Sequence, residues 1–260
     1  MGDFSRRTLL RDGFAAAAGA GAVYLSRTIP KILGPDRLPI DGGYAATADL
    51  PKWTRRGSVG IHWFAETTEP TVALTFDDGP APHWTPIVLD ALDAAAAPAT
   101  FFMVGRQLRT NRTVVEGRLD RHDVGNHTWS HADLARLGPA AVRRELQSTH
   151  DEIAAVTGRE PILFRPPWGH LGGSTILAAN DMNYEVVLWS VAISSFNPQD
   201  PVDGLVQAVV PGTIILMHDV GDPQRLPGLR RLGDIITGLR DRGFRLVTVS
   251  ELLSAQSAAV

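Results

Sequence analysis

From Thr71 onward the chain alternates short, nearly unbroken apolar runs with longer amphipathic stretches, and this alternation limits the possible folds more than any other feature. Residues 71–76, 100–104, 162–164, 185–191, 213–217 and 245–249 read as strands, most of them with no polar alternation. Such runs suit parallel strands buried on both faces. Residues 86–96, 140–156, 175–181, 202–209 and 229–242 read as helices; in the second, Val142, Leu146, Ile153 and Val156 recur at helical spacing, with Arg143, Arg144, Glu145 and Asp151 on the other side. The pattern predicts an α/β protein, either an open sheet or a barrel. In both, ligands meet the loops at the carboxyl ends of the strands.

Upstream the texture differs. Ser5-Arg6-Arg7-Thr8-Leu9-Leu10-Arg11 precedes a weakly hydrophobic Ala/Gly run at 13–25, the order of a twin-arginine export signal. That run is too short to span a bilayer comfortably. Residues 1–30 are therefore expected to be a signal or anchor segment, which would touch a membrane only if uncleaved. Residues 31–70, rich in Pro and Gly, are expected to be a linker that wraps onto the domain with little regular structure, and 71–255 the catalytic domain.

The strand ends carry the chemistry. Strand 71–76 runs straight into Asp77-Asp78-Gly79-Pro80. Two adjacent carboxylates there are costly unless a cation neutralises them. On an extended backbone they point in different directions, so one can ligate a metal while the other faces the attacking water; alone, the motif fits an acidic turn equally well. His127 and His131 stand four apart, the spacing at which a helical turn aims two imidazoles at one ion. With no Glu after the first His, the base must come from elsewhere, and Asp77 is the candidate. Arg165-Pro166-Pro167-Trp168 follows another apolar strand, and Leu216-Met217-His218 closes a third. An Arg beside a carboxylate orients it, and a strand-end His can protonate a leaving group near neutral pH. His62, His122 and His150 read as packed or surface residues, and His83 and His170 as surface ones.

Four motifs in this order, Thr75-Phe76-Asp77-Asp78-Gly79-Pro80, His127-Thr128-Trp129-Ser130-His131, Arg165-Pro166-Pro167-Trp168-Gly169 and Leu216-Met217-His218, resemble the polysaccharide deacetylase family, the NodB-like carbohydrate esterases. The resemblance implies a distorted (β/α) barrel, usually of seven strands, and a divalent metal, by default zinc, with cobalt, nickel and iron also compatible. It implies Asp78, His127 and His131 as ligands, Asp77 as base, Arg165 as its steering group and His218 as acid. The Trp168 backbone N–H would stabilise the oxyanion and Leu216 would line the acetyl pocket. The implied substrate is an N-acetylated or O-acetylated cell-envelope polysaccharide such as peptidoglycan or chitin-like oligomers. One family element departs: where an Asp-x-x-Asp-Trp stretch is expected, Ala192, Ser195 and Phe196 stand. Asp219 is the acid nearest His218 in sequence.

With no cysteine, a thiol nucleophile, a disulfide framework and a zinc ribbon are all excluded, so any metal is held by His, Asp or Glu. A net charge of -3 offers no general attraction to nucleic acid. Two other readings stay open. The departures at Ala192 and Ser195 fit a glycan-binding protein with weak or no turnover. Two His and one Asp also form the facial triad of a non-haem Fe(II) oxygenase, but a jelly roll would be expected there, which the α/β alternation opposes.

Overall fold

The computed structural model describes residues 58–197, 200–221 and 223–257. The export-type segment and most of the linker lie outside them. Among the described residues nine parallel strands form one sheet: β1 (Ile61–His62), β2 (Thr71–Asp77), β3 (Thr100–Met103), β4 (Asp123–Asn126), β5 (Leu163–Phe164), β6 (Glu185–Val187), β7 (Val191–Ala192), β8 (Ile214–His218) and β9 (Arg245–Val247). Their order is β1-β6-β5-β4-β3-β2-β8-β7, with β9 beside the first half of β2. The sheet curls, because one stretch of chain supplies β6, next to the end strand β1, and β7 at the opposite end. β6 pairs with β5, and β7, three residues later, pairs with β8.

That bend corrects the single strand expected over 185–191, and it is one reason the count exceeds seven. The other is β1, an unforeseen strand from the expected linker, which pairs with β6. The segment then reaches the β8 side, where the Ala65 N–H donates to the Gly212 carbonyl at 2.9 Å.

β2 explains why its sequence reads as continuously apolar. All seven residues are buried. Val72, Leu74 and Phe76 face the helices, packing with Val88, Leu92, Ile235 and Leu239 of the outer layer. Ala73, Thr75 and Asp77 alternate onto the inner face. Around Ala73 the interior is filled by Phe102, Leu163, Val187, Ile214 and Val247, so the barrel floor is apolar while its mouth is polar. Small residues at 73 and 75 leave room at the centre for one large buried side chain.

The helices cover the outside: α1 (Thr85–Ala94), α2 (Gly105–Thr110), α3 (Pro139–Thr157), α4 (Gly173–Asp181), α5 (Val202–Ala208), α6 (Leu226–Arg230), α7 (Leu232–Asp241) and α8 (Val249–Ser257). α3 buries Val142, Leu146, Thr149 and Ile153, starts on Pro139, and ends at Gly158 with φ 68°, the left-handed conformation that glycine adopts without Cβ strain. The helix expected over 229–242 is two, α6 and α7, joined at Arg231. None of the described helices is long and apolar enough to cross a membrane.

His122 packs as expected, buried edge-on against Phe101. Its Nδ1 accepts the Ala99 N–H at 3.1 Å, while Nε2 is buried with no hydrogen-bond partner among the described residues. Burial pushes its pKa from 6.5 down to about 4. The unfolded chain therefore takes up the proton first, and stability falls as pH drops from about 6.5 towards 4. His122→Asn keeps an acceptor and removes the titration. Urea unfolding at pH 7 and pH 4 should show the variant losing about 2 kcal/mol less than the parent; equal losses would count against this account.

Candidate active site

The site stands where parallel β2, β4, β5 and β8 end together. Register carries much of the geometry: Asp77 lies level with His218 on one neighbour and Phe102 on the other, and Asn126, last residue of β4, pairs with Phe164 just before Arg165.

Arg165 fills the barrel centre and is fully buried. Its Nη1 donates to Asp77 Oδ1 and Thr75 Oγ1, both at 2.7 Å, Nε donates to the Val187 carbonyl at 3.0 Å, and Nη2 to the Leu188 carbonyl at 2.8 Å. The guanidinium also stacks over Phe102 at 4.1 Å. A buried charge survives only when paired and hydrogen-bonded, and here every nitrogen is engaged. Asp77 is thereby fixed by one oxygen, and its Oδ2 points at the histidines, 3.8 Å from His127 Nε2.

Asp78, His127 and His131 converge. Asp78 Oδ1 lies 3.4 Å from His127 Nε2 and 3.0 Å from His131 Nε2, and one ligand atom from each residue falls within 4.8 Å of the others. The His127 ring is oriented by its other nitrogen, with Nδ1 2.7 Å from the Arg165 carbonyl, so Nδ1 carries the proton and the Nε2 lone pair faces Asp78. Asp78 Oδ1 is buried with no hydrogen-bond partner among the described residues. Burial raises the Asp78 pKa, but His127 and His131 outweigh it and leave the group well below the usual carboxylate range. Burial opposes charge on His127, yet Asp77 and Asp78 hold its pKa above the ordinary value. Two carboxylates and two imidazoles aimed at one point ask for a cation, and one carboxylate with two imidazole nitrogens is a donor set that suits a divalent transition metal.

The i, i+4 helical turn expected for the histidines is absent; they sit on an irregular loop after β4. Thr128 and His131 have φ of 66° and 59°, and Asp78 and Trp168 have 79° and 56°. Positive φ is costly for a β-branched or bulky residue, and such strain persists only where surroundings enforce it. Here the Thr128 N–H donates to Asn126 Oδ1 at 2.9 Å and the Thr128 carbonyl accepts the Gly105 N–H at 3.0 Å. Backbone reversals, not helical periodicity, aim the imidazoles.

Trp168 is 57% exposed, with its ring edge-on to His131 at 4.4 Å. Leu216 is buried on the inner face of β8, paired with Ala192. His218 is half-buried; burial lowers its pKa, Asp77 and Asp78 oppose this, and Arg225 adds to it. No carboxylate hydrogen-bonds its ring among the described residues. Ser195 is exposed in the turn Ile193–Ser195. Asp219 is committed elsewhere: Oδ1 accepts the Gly79 N–H at 3.0 Å and Oδ2 the Thr85 hydroxyl at 2.6 Å, and burial pushes its pKa up to about 7. It fastens the Asp77-Asp78-Gly79 turn and does not serve His218. Of the remaining histidines, His62 meets Glu185 at 2.8 Å, His150 meets Tyr184 at 2.8 Å, His83 is exposed, and His170 lies 3.3 Å from Asp133 at the surface.

Sequence reasoning missed the roles of Thr75 and Arg225 and considered Asp219 only as a partner for His218. Thr75 had a signal, since two residues before Asp77 on a strand is the same face. Arg225, whose Nη1 is 3.8 Å from Asp78 Oδ2, had none.

The family model for polysaccharide deacetylase matches residues 64–187. A peptidoglycan-N-acetylglucosamine deacetylase of Bacillus cereus is 35% identical over 199 residues, 74% of this chain and 92% of the relative. The crystal structure of the Bc1960 peptidoglycan N-acetylglucosamine deacetylase superimposes with a TM-score of 0.71 at 27% identity, covering 79% of this chain and 97% of that one. A mutant of BA3943, a CE4 family pseudoenzyme of Bacillus anthracis, described as having restored enzymatic activity, superimposes at 0.69 with 27% identity, covering 76% and 72%. The all-parallel curled sheet is no jelly roll, which removes the oxygenase reading, and with most of an identified relative matched end to end, the chain belongs to the polysaccharide deacetylase family.

Proposed function

We propose that this chain is a metal-dependent hydrolase that removes acetyl groups from N-acetylated sugars of peptidoglycan, releasing acetate and a free amine. One observation supports it above the others: a buried Asp78 oxygen without a hydrogen-bond partner faces two imidazole nitrogens, while Asp77 is pinned beside them by a buried Arg. Asp78, His127 and His131 would hold the ion, zinc by default. When bound, such an ion polarises the acetyl carbonyl and acidifies a water. Asp77, with Oδ1 on Arg165, keeps Oδ2 free to take the proton of the attacking water. His218, level with Asp77 across the ladder, would give a proton to the departing nitrogen. The Trp168 backbone N–H would steady the oxyanion and Leu216 would receive the acetyl methyl. We also infer that 1–30 direct twin-arginine export, that 31–70 form an extension and that 71–255 make the catalytic domain, which suits a substrate outside the cytoplasm.

The absence of a carboxylate partner for His218 among the described residues, with Ser195 exposed in the Ile193–Ser195 turn where the family carries an acid, favours a second reading, a glycan-binding protein of low turnover. One experiment separates the two. The purified chain loaded with Zn²⁺ or Co²⁺ is expected to release acetate from peptidoglycan or chitin oligomers. If only Ser195→Asp releases acetate, the second reading holds; if neither does with metal bound, the deacetylase reading fails.

A further inference from the structure

Beside His218 a cavity of about 270 Å³ opens between the Ile193–Ser195 turn and α6, with Arg225 on its wall. Its other walls include Ile193, Pro201, Met217 and Leu229, and none of its described lining residues is a carboxylate. The cavity is thus largely apolar, with the Arg225 guanidinium as the cation on its rim beside the His218 ring.

Arg225 is poorly committed within the protein. Its side chain is 43% exposed, Nη1 donates to the Val220 carbonyl at 3.2 Å, and the same nitrogen lies 3.8 Å from Asp78 Oδ2, beyond hydrogen-bond length. A guanidinium offers five N–H donors in a fork that matches a carboxylate. Arg165, the other cation at the site, has all its nitrogens engaged. Arg225 therefore has donors to spare for an anionic substituent that enters beside Asp78.

Resting on the deacetylase reading above, we propose that Arg225 is a specificity-determining residue that binds a carboxylate carried on the ring carbon next to the acetamido group. The preferred sugar is therefore of the N-acetylmuramic acid type, whose lactyl ether on C3 adjoins the acetamide on C2, and not N-acetylglucosamine. Arg225 reaches the immediate surroundings of Asp78, so a carboxylate one ring carbon from the reacting amide is within its range. The apolar wall of Ile193, Met217 and Leu229 suits the lactyl methyl.

The test compares three substrates on the metal-loaded protein: a muramic-acid-containing tetrasaccharide with a free lactyl carboxylate, the same compound with that carboxylate converted to a methylamide, and chitotetraose. Expected is a kcat/KM at least tenfold higher for the free carboxylate than for either neutral compound, mostly through KM. In Arg225→Gln that ratio should fall close to one, and Arg225→Lys should restore part of it. A parent ratio near one, or a ratio unmoved in Arg225→Gln, overturns the proposal. Calorimetric binding of the de-N-acetylated muramic and glucosamine tetrasaccharides provides a readout independent of turnover. If no acetate appears from any substrate, the deacetylase reading fails, while tighter binding of the muramic compound that is lost in Arg225→Gln still upholds the carboxylate site. Equal binding of the two refutes it.

Discussion

Asp78→Asn is expected to lower acetate release by about three orders of magnitude and to leave the purified protein without stoichiometric metal. The substitution removes the negative charge of the carboxylate whose buried Oδ1 lies 3.4 Å from His127 Nε2 and 3.0 Å from His131 Nε2. An amide is a much weaker ligand than a carboxylate, and loss of Lewis-acid stabilisation of several kcal/mol corresponds to about 10³-fold in rate. Elemental analysis and an acetate assay on the same sample decide the matter. Bound metal with near-parental turnover in the variant would remove Asp78 from the ligand set.

Arg165→Met is expected to cost about 3–5 kcal/mol of stability as well as activity, because it leaves the Asp77 charge buried without its partner. The Thr75 hydroxyl and two backbone carbonyls, of Val187 and Leu188, also lose their donor. The double variant Arg165→Met with Asp77→Leu removes the charge altogether and should recover most of the stability while staying inactive. Urea unfolding of the parent, the single and the double variant tests this. A single variant within about 1 kcal/mol of the parent would mean that the pair is not held as the structure describes.

Much of the site was legible in the sequence because its residues sit at strand ends. The continuous apolar run of β2 announced burial on both faces, and the abrupt change to Asp77-Asp78 marked the mouth of the sheet. β4 was missed because Asp123–Asn126 holds one large apolar residue, Val124, too little for periodicity to register. β1 was missed because two residues carry no period at all. The expected helical turn at His127 and His131 failed for a related reason: spacing alone cannot tell a helical turn from a loop whose backbone reverses at Thr128 and His131.

The split of 185–192 between β6 and β7 was equally out of reach. Both halves are apolar enough for one strand, and the bend is imposed by pairing with Phe164 at one end and Leu216 at the other.

By itself the sequence determined the layered α/β architecture, through burial periodicity, and the identity of the groups able to ligate, abstract or donate, through residue chemistry at strand ends. Only the tertiary structure decided which groups meet. Arg165 reaches Asp77 across 88 positions of chain, Asp219 turns to Gly79 and away from His218, and Arg225 comes to lie beside Asp78. Those choices depend on strand order and on which buried charges and hydrogen-bonding groups must find partners, and neither is a local property of the chain.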